Sequence, residues 1–154
     1  MKTLLTLALL AANIAPAFAQ DTPATHITAG IFYNPQATPQ IAGWGGFANR
    51  IAGGTYSFTA FGIDHVTAKP FSVQTTAVTG IAQSIGTVSG FRLYGLATTG
   101  AAVTDKSIGY AVNGGTLAVK PLKNGFTLDV PFQVKYTSIG GAAVSVGVGI
   151  GWGK

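Results

Sequence analysis

Any chemistry in this chain must come from few side chains. The sequence holds two histidines, His26 and His65, and four aspartates, Asp21, Asp64, Asp105 and Asp129, with no cysteine and no glutamate. Asp64 and His65 are adjacent, but neighbouring side chains of an extended strand point to opposite faces, so they form no direct hydrogen-bonded dyad. Metal centres need several ligands at close spacing. Two histidines and scattered aspartates offer none, so neither a metal nor a cofactor is expected. "GWGG" (43–46) and "GVGIGWG" (147–153) have the composition of phosphate-binding loops. Such loops lead into a helix; here the glycines read as small residues on strands.

No amphipathic helical period stands out. Glycine, threonine, valine, alanine and aromatic residues make short extended segments broken by turn chemistry. We read eight, at 25–33, 41–50, 55–65, 71–85, 91–100, 107–119, 126–137 and 142–152. Gly, Pro, Asn and Asp between them supply the backbone angles that tight turns require. No connection is long enough for a helical crossover, which implies antiparallel, up-and-down pairing. The clearest strand is "GFTLDVPFQVKYTS": Phe126, Leu128, Val130, Phe132, Val134 and Tyr136 fall on one face, and Thr127, Asp129, Pro131, Gln133 and Lys135 on the other. The last strand sets Val144, Val146, Val148, Ile150 and Trp152 against Ala143, Ser145, Gly147, Gly149 and Gly151. In the sixth, Ile108, Tyr110 and Val112 begin an apolar face. Leu117 and Val119 continue it if a β-bulge at Asn113-Gly114-Gly115 changes the parity. Pro131 forfeits a ladder hydrogen bond, so a bulge or irregularity is expected there.

The start of the chain, with Lys2, an apolar run from Leu4 to Ile14 and Ala17-Phe18-Ala19, reads as a secretory signal peptide over 1–19, followed by one domain over 20–154. Without cysteine, disulfides cannot stabilise the exported fold. Charged residues are 8% of the sequence, against roughly 25% in soluble domains. That scarcity implies an outer surface largely hidden from water. No later stretch approaches the roughly 18 apolar residues of a membrane helix. The net charge of +5 comes from scattered Lys and Arg, which excludes a basic patch for nucleic acid.

Alternating antiparallel strands fit either a soluble barrel or sandwich with its apolar face inward, or a membrane barrel with that face outward. The glycine-rich face of the last strand favours the second. It would make a poor solvated surface, whereas small residues suit the inside of a narrow barrel. Phe126 to Tyr136 spans about 33 Å at roughly 3.3 Å per residue. A tilt of about 40° projects this to roughly 25 Å, the height of the apolar band of such barrels. The expected lipid-facing residues are then Phe126, Leu128, Val130, Phe132, Val134, Tyr136, Val144, Val146, Val148 and Ile150. Tyr33, Tyr56, Phe71, Phe91 and Trp152 would mark the membrane interfaces. Arg92, Asp129, Gln133 and Lys135 would fill the lumen.

At this point the sequence resembles the small eight-stranded outer-membrane barrels of Gram-negative-type bacteria, the OmpA/OmpX class. Ser145, Gly147, Ile150 and Trp152 match that family's C-terminal assembly signal, polar-x-Gly-x-x-hydrophobic-x-aromatic, although Gly153 and Lys154 follow the aromatic residue. The resemblance implies an all-β, closed, antiparallel up-and-down transmembrane barrel in the outer membrane of the cell envelope. It implies insertion by the barrel-assembly machinery, contact with outer-membrane lipid, and a monomer. Eight strands leave room for side chains but not for a general pore. The expected function is a structural or surface-interaction role without catalysis. An alternative is a soluble secreted barrel or sandwich binding a hydrophobic ligand. A third is a lipid A-modifying barrel enzyme. The deacylase type of that class carries His-x-Ser, and here His26 and His65 are followed two positions on by Thr28 and Thr67.

Overall fold

A computed structural model describes residues 24–35, 41–66 and 72–154, without the side chains of 64–66 and 72–73. The expected signal peptide, Phe71 and most of the connections at 36–40 and 67–71 lie outside the described residues. The strands are β1 (Thr25–Tyr33), β2 (Ile41–Ala52), β3 (Thr55–Val66), β4 (Ser72–Val88), β5 (Phe91–Val103), β6 (Ile108–Pro121), β7 (Phe126–Thr137) and β8 (Gly141–Gly153). Each pairs antiparallel with the next, and β8 returns to β1, from His26↔Gly153 to Tyr33↔Val146. The result is a closed eight-stranded barrel without an open edge. No described helix is long and apolar enough to cross a membrane. Among the described residues the helical content is one 3-10 turn, Lys123–Gly125, between β6 and β7.

The side-chain period of two divides the molecule into an outer and an inner surface. On β7, Phe126, Phe132, Val134 and Tyr136 are exposed outside, with Leu128 and Val130 partly covered on the same face. Thr127, Asp129, Pro131, Gln133 and Thr137 are buried inside. On β8, Val144, Val146, Val148, Ile150 and Trp152 point out. Tight turns close the end of the barrel that carries the termini. Ser89 (φ 50°) and Gly90 (φ 79°) join β4 to β5, the left-handed pair typical of a two-residue hairpin.

Two local expectations change. The parity of β6 never switches: its register to β5 and β7 is unshifted, so Leu117 and Val119 point inward while Ile108, Tyr110 and Val112 point out. The apolar set simply moves to the inner face, because the inside of the barrel is itself apolar at that level. Pro131 causes no bulge, but the irregularity expected there is present: toward β8 the pairing skips Val130 and Pro131, between Asp129↔Gly149 and Phe132↔Val146, with the register unchanged, while toward β6 Pro131 stays opposite Leu117. The bulges that do occur are at Arg50/Ala52 on β2 and Ser84/Gly86 on β4, each beside a terminal-end turn.

Candidate functional site in the lumen

β8 separates β1 from β7 on the barrel wall, yet side chains of β1 and β7 meet inside it. His26 (β1) donates from Nε2 to Asp129 Oδ2 (β7) at 2.8 Å, and Thr127 Oγ1 donates to Asp129 Oδ1 at 2.7 Å. Asp129 is 0% exposed. They meet because β8 presents no side chain between them: a Cβ on Gly151 would stand 2.6 Å from both Asp129 Oδ2 and His26 Cε1. A buried carboxylate needs such partners to offset its desolvation. Further along β8, a Cβ on Gly149 would stand 3.0 Å from Trp44 Cζ2, and the Trp44 ring packs on Phe32 with centroids 5.3 Å apart. The glycine face of the last strand is therefore space taken by side chains of its neighbours.

Across the lumen from this polar wall, the terminal end is apolar. Ala48, Tyr56, Phe58, Ala82, Tyr94, Leu96, Leu117 and Val119, from β2 to β6, form one buried cluster. Tyr56 and Tyr94 meet edge-on, centroids 5.6 Å apart. The cluster does not fill its share of the interior. A cavity of about 330 Å³ lies over it, with His26 and Thr127 on the polar side and Arg92, Pro121, Leu122 and Lys154 at the terminal end. That volume is at the lower bound of small-molecule sites, about 300 Å³. Toward mid-barrel the interior narrows around Trp44, Phe32, Asn113, Gln133 and Lys135 to a cavity of about 30 Å³.

The far end is packed differently. Ala102 and Ala111, both 0% exposed, form a cluster with Val78, and Ile139 of the β7–β8 connection packs onto it. Thr137 Oγ1 donates to Gln74 Oε1 at 3.2 Å and accepts from the Gly140 amide at 2.9 Å. Small residues are filled over here and left open at the terminal end.

Of the expected lumen residues, Asp129 and Gln133 are buried inside, Lys135 borders the mid-barrel cavity, and Arg92 stands at the wall of the large one. Asp129 is bonded to His26, a partner that no local spacing announces because the two lie 103 positions apart. Of the expected interface aromatics, Tyr33 and Trp152 are exposed on the outer surface near opposite ends, and Phe91 lies partly covered with Lys120 Nζ 5.5 Å from its ring centre. Tyr56 departs from expectation. It is 3% exposed and belongs to the interior cluster, because β3 turns Tyr56 and Phe58 inward and Phe61 and Ile63 outward. Ser145, Gly147, Ile150 and Trp152 all lie on β8, the first two facing in and the last two out. A His–Asp pair is the base half of a nucleophilic triad. Among the described residues no hydroxyl is hydrogen-bonded to the His26 ring, and Thr127 is committed to the carboxylate.

A closed antiparallel meander with an apolar exterior and a largely filled interior has the fold of the small eight-stranded transmembrane barrels. The chain is similar to the crystal structure of Neisserial surface protein A, with a TM-score of 0.67 and 10% identity over 85% of this chain and 97% of that one. It is similar to the outer membrane protein Ail of Yersinia pestis, determined in a phospholipid bilayer nanodisc, with a TM-score of 0.57 and 9% identity over 84% and 98% of the chains. A designed transmembrane β-barrel matches at a TM-score of 0.54 and 14% identity over 88% and 98%. No family model and no curated protein sequence matches the chain.

Proposed function

We propose that this protein is an integral outer-membrane barrel of a Gram-negative-type bacterium, exported by a leader over 1–19 that is removed to leave 20–154. In this reading it serves a structural or surface-interaction role, without a general pore or catalysis. The observation that carries the reading is the outer surface. Large apolar side chains stand exposed on every strand whose side chains are described, including Ile31, Phe47, Phe61, Ile81, Val112, Val134 and Val148. Soluble monomers rarely expose apolar patches beyond a few hundred Å². Lipid is the medium in which such a surface is stable, and barrel closure satisfies every strand edge there. In this reading Phe126, Leu128, Val130, Phe132, Val134, Tyr136, Val144, Val146, Val148 and Ile150 are lipid contacts. Tyr33, Phe91 and Trp152 are interface anchors, and Phe71, outside the described residues, is assigned to an interface from the sequence alone. Ser145, Gly147, Ile150 and Trp152 serve as the assembly signal, and the barrel works as a monomer. The constriction at Trp44, Gln133 and Lys135 supports the absence of a general pore.

Membrane fractionation with gels of unheated and boiled samples tests the reading. A detergent-requiring protein whose mobility changes on boiling is expected. A monomer soluble without detergent would mean a soluble barrel instead. The His26–Asp129 pair beside an apolar cavity is the feature that favours a lipid-modifying enzyme; lipid A mass spectra that are identical with and without expression would eliminate that reading.

A further inference from the structure

Among the described residues, four buried side-chain atoms have no hydrogen-bond partner: Thr28 Oγ1, Trp44 Nε1, the Tyr56 hydroxyl and Asn113 Oδ1. A buried polar group left unpaired costs free energy, so each calls for a partner. Two of them belong to residues that line one space, the mid-barrel cavity of about 30 Å³. Trp44 and Asn113 are 7% and 9% exposed. They stand on β2 and β6, four strands apart and so on opposite walls of the ring. The space between them exists because β3 offers only Ala60 and Gly62 to the interior at that level. Thr76, Gln133 and Ser145 add polar groups to the lining, and the Thr76 hydroxyl reaches the Gly62 carbonyl only at 3.5 Å. Lys135 borders the same space with a partner of its own, so it does not select what enters.

We propose that the mid-barrel constriction is a hydration site, holding one or two resident waters that donate to Asn113 Oδ1 and accept from Trp44 Nε1. The two orphan atoms are of opposite kinds, one donor and one acceptor. An anion could meet only the indole N–H, a metal cation only the amide oxygen, and an apolar molecule neither. Water meets both. The size agrees, since a buried water needs about 10–15 Å³ of free space and two to four polar partners. Thr76, Gln133 and Ser145 supply the remaining partners. Held in this way, water braces β2 against β6 across the lumen, where no side chain spans the gap left by Ala60 and Gly62. The site is internal and stands whichever medium meets the outer surface.

The test is water-selective NMR of the full barrel in detergent micelles, recorded as laboratory-frame and rotating-frame Overhauser spectra. A water held for longer than nanoseconds gives cross peaks of opposite sign in the two, whereas proton exchange with solvent gives the same sign in both. Opposite signs are expected at the Asn113 side-chain amide and at the Trp44 indole N–H. Ala60→Val puts methyl groups into the cavity and should abolish both cross peaks, while the neighbouring Thr76 and Ser145 hydroxyls remain. Thr116→Val, exposed on the outer face of β6, should leave both unchanged. The change of gel mobility on boiling reports whether each variant is a closed barrel. Absence of opposite-sign cross peaks at both groups in the unmodified protein would overturn the site without any variant. Cross peaks that persist in a closed Ala60→Val barrel would overturn it as well.

Discussion

The two ends of the lumen draw on the same kinds of residue and reach opposite outcomes. At the far end Ala102 and Ala111 are completely buried, because Ile139 folds over them and Thr137, Gln74 and the Gly140 amide close the rim with hydrogen bonds. At the terminal end Ala48 and Ala82 are also buried, but only the apolar wall behind them is complete, and a cavity of about 330 Å³ stands in front. A small side chain inside a barrel is thus not informative by itself. Its meaning depends on whether another element reaches the space it leaves. The three-residue β7–β8 connection at 138–140 reaches inward, whereas the two-residue turns Gly53–Gly54 and Ser89–Gly90 are too tight to do so.

That contrast can be broken by substitution, and the largest effect should come from the polar wall that bounds the open end. Asp129→Ala removes the acceptor of both His26 and Thr127 and leaves two buried groups unpaired, so a loss of about 3 kcal/mol is expected in urea unfolding followed by gel mobility. Ala102→Leu at the sealed end has no space to enter and should cost about 1–3 kcal/mol by the same assay. Ala82→Leu makes the same chemical change at the open end and should raise stability, by up to about 1 kcal/mol of newly buried methyl surface. Opposite signs for these two substitutions would sharpen the comparison; equal losses would break it. Lys120→Ala, outside the barrel and over the Phe91 ring, should change stability by no more than about 0.5 kcal/mol.

Much of this architecture is written in local pattern. β1 and β7 match their expected spans, and β8 differs by one residue at each end, because strict alternation bounded by turn residues leaves little freedom. The inward turn of Leu117, Val119 and Tyr56 was not legible, and the reason is physical. Alternation separates two faces but says which is inner only when one is polar, and the terminal half of this lumen is apolar on β3 and β6. A parity change across Asn113-Gly114-Gly115 would keep Leu117 and Val119 on the outer face, whereas the unshifted register sets them on the inner one. The His26–Asp129 contact lay beyond reach for another reason. It depends on the closure of β8 onto β1 and on the missing side chain of Gly151, neither of which leaves a trace in residue spacing. The cavity is a property of strands far apart in the chain, and only their assembly defines it.

The central claim is that one face of every strand meets lipid and the other encloses a partly open interior. Cross-relaxation from lipid acyl-chain protons to protein methyls, measured in phospholipid nanodiscs, tests both faces at once. The account predicts strong transfer to Val134, Val144, Val148 and Ile150 and none to Leu117 and Val119. Strong transfer to Leu117 and Val119 with none to Val144 and Val148 would contradict it.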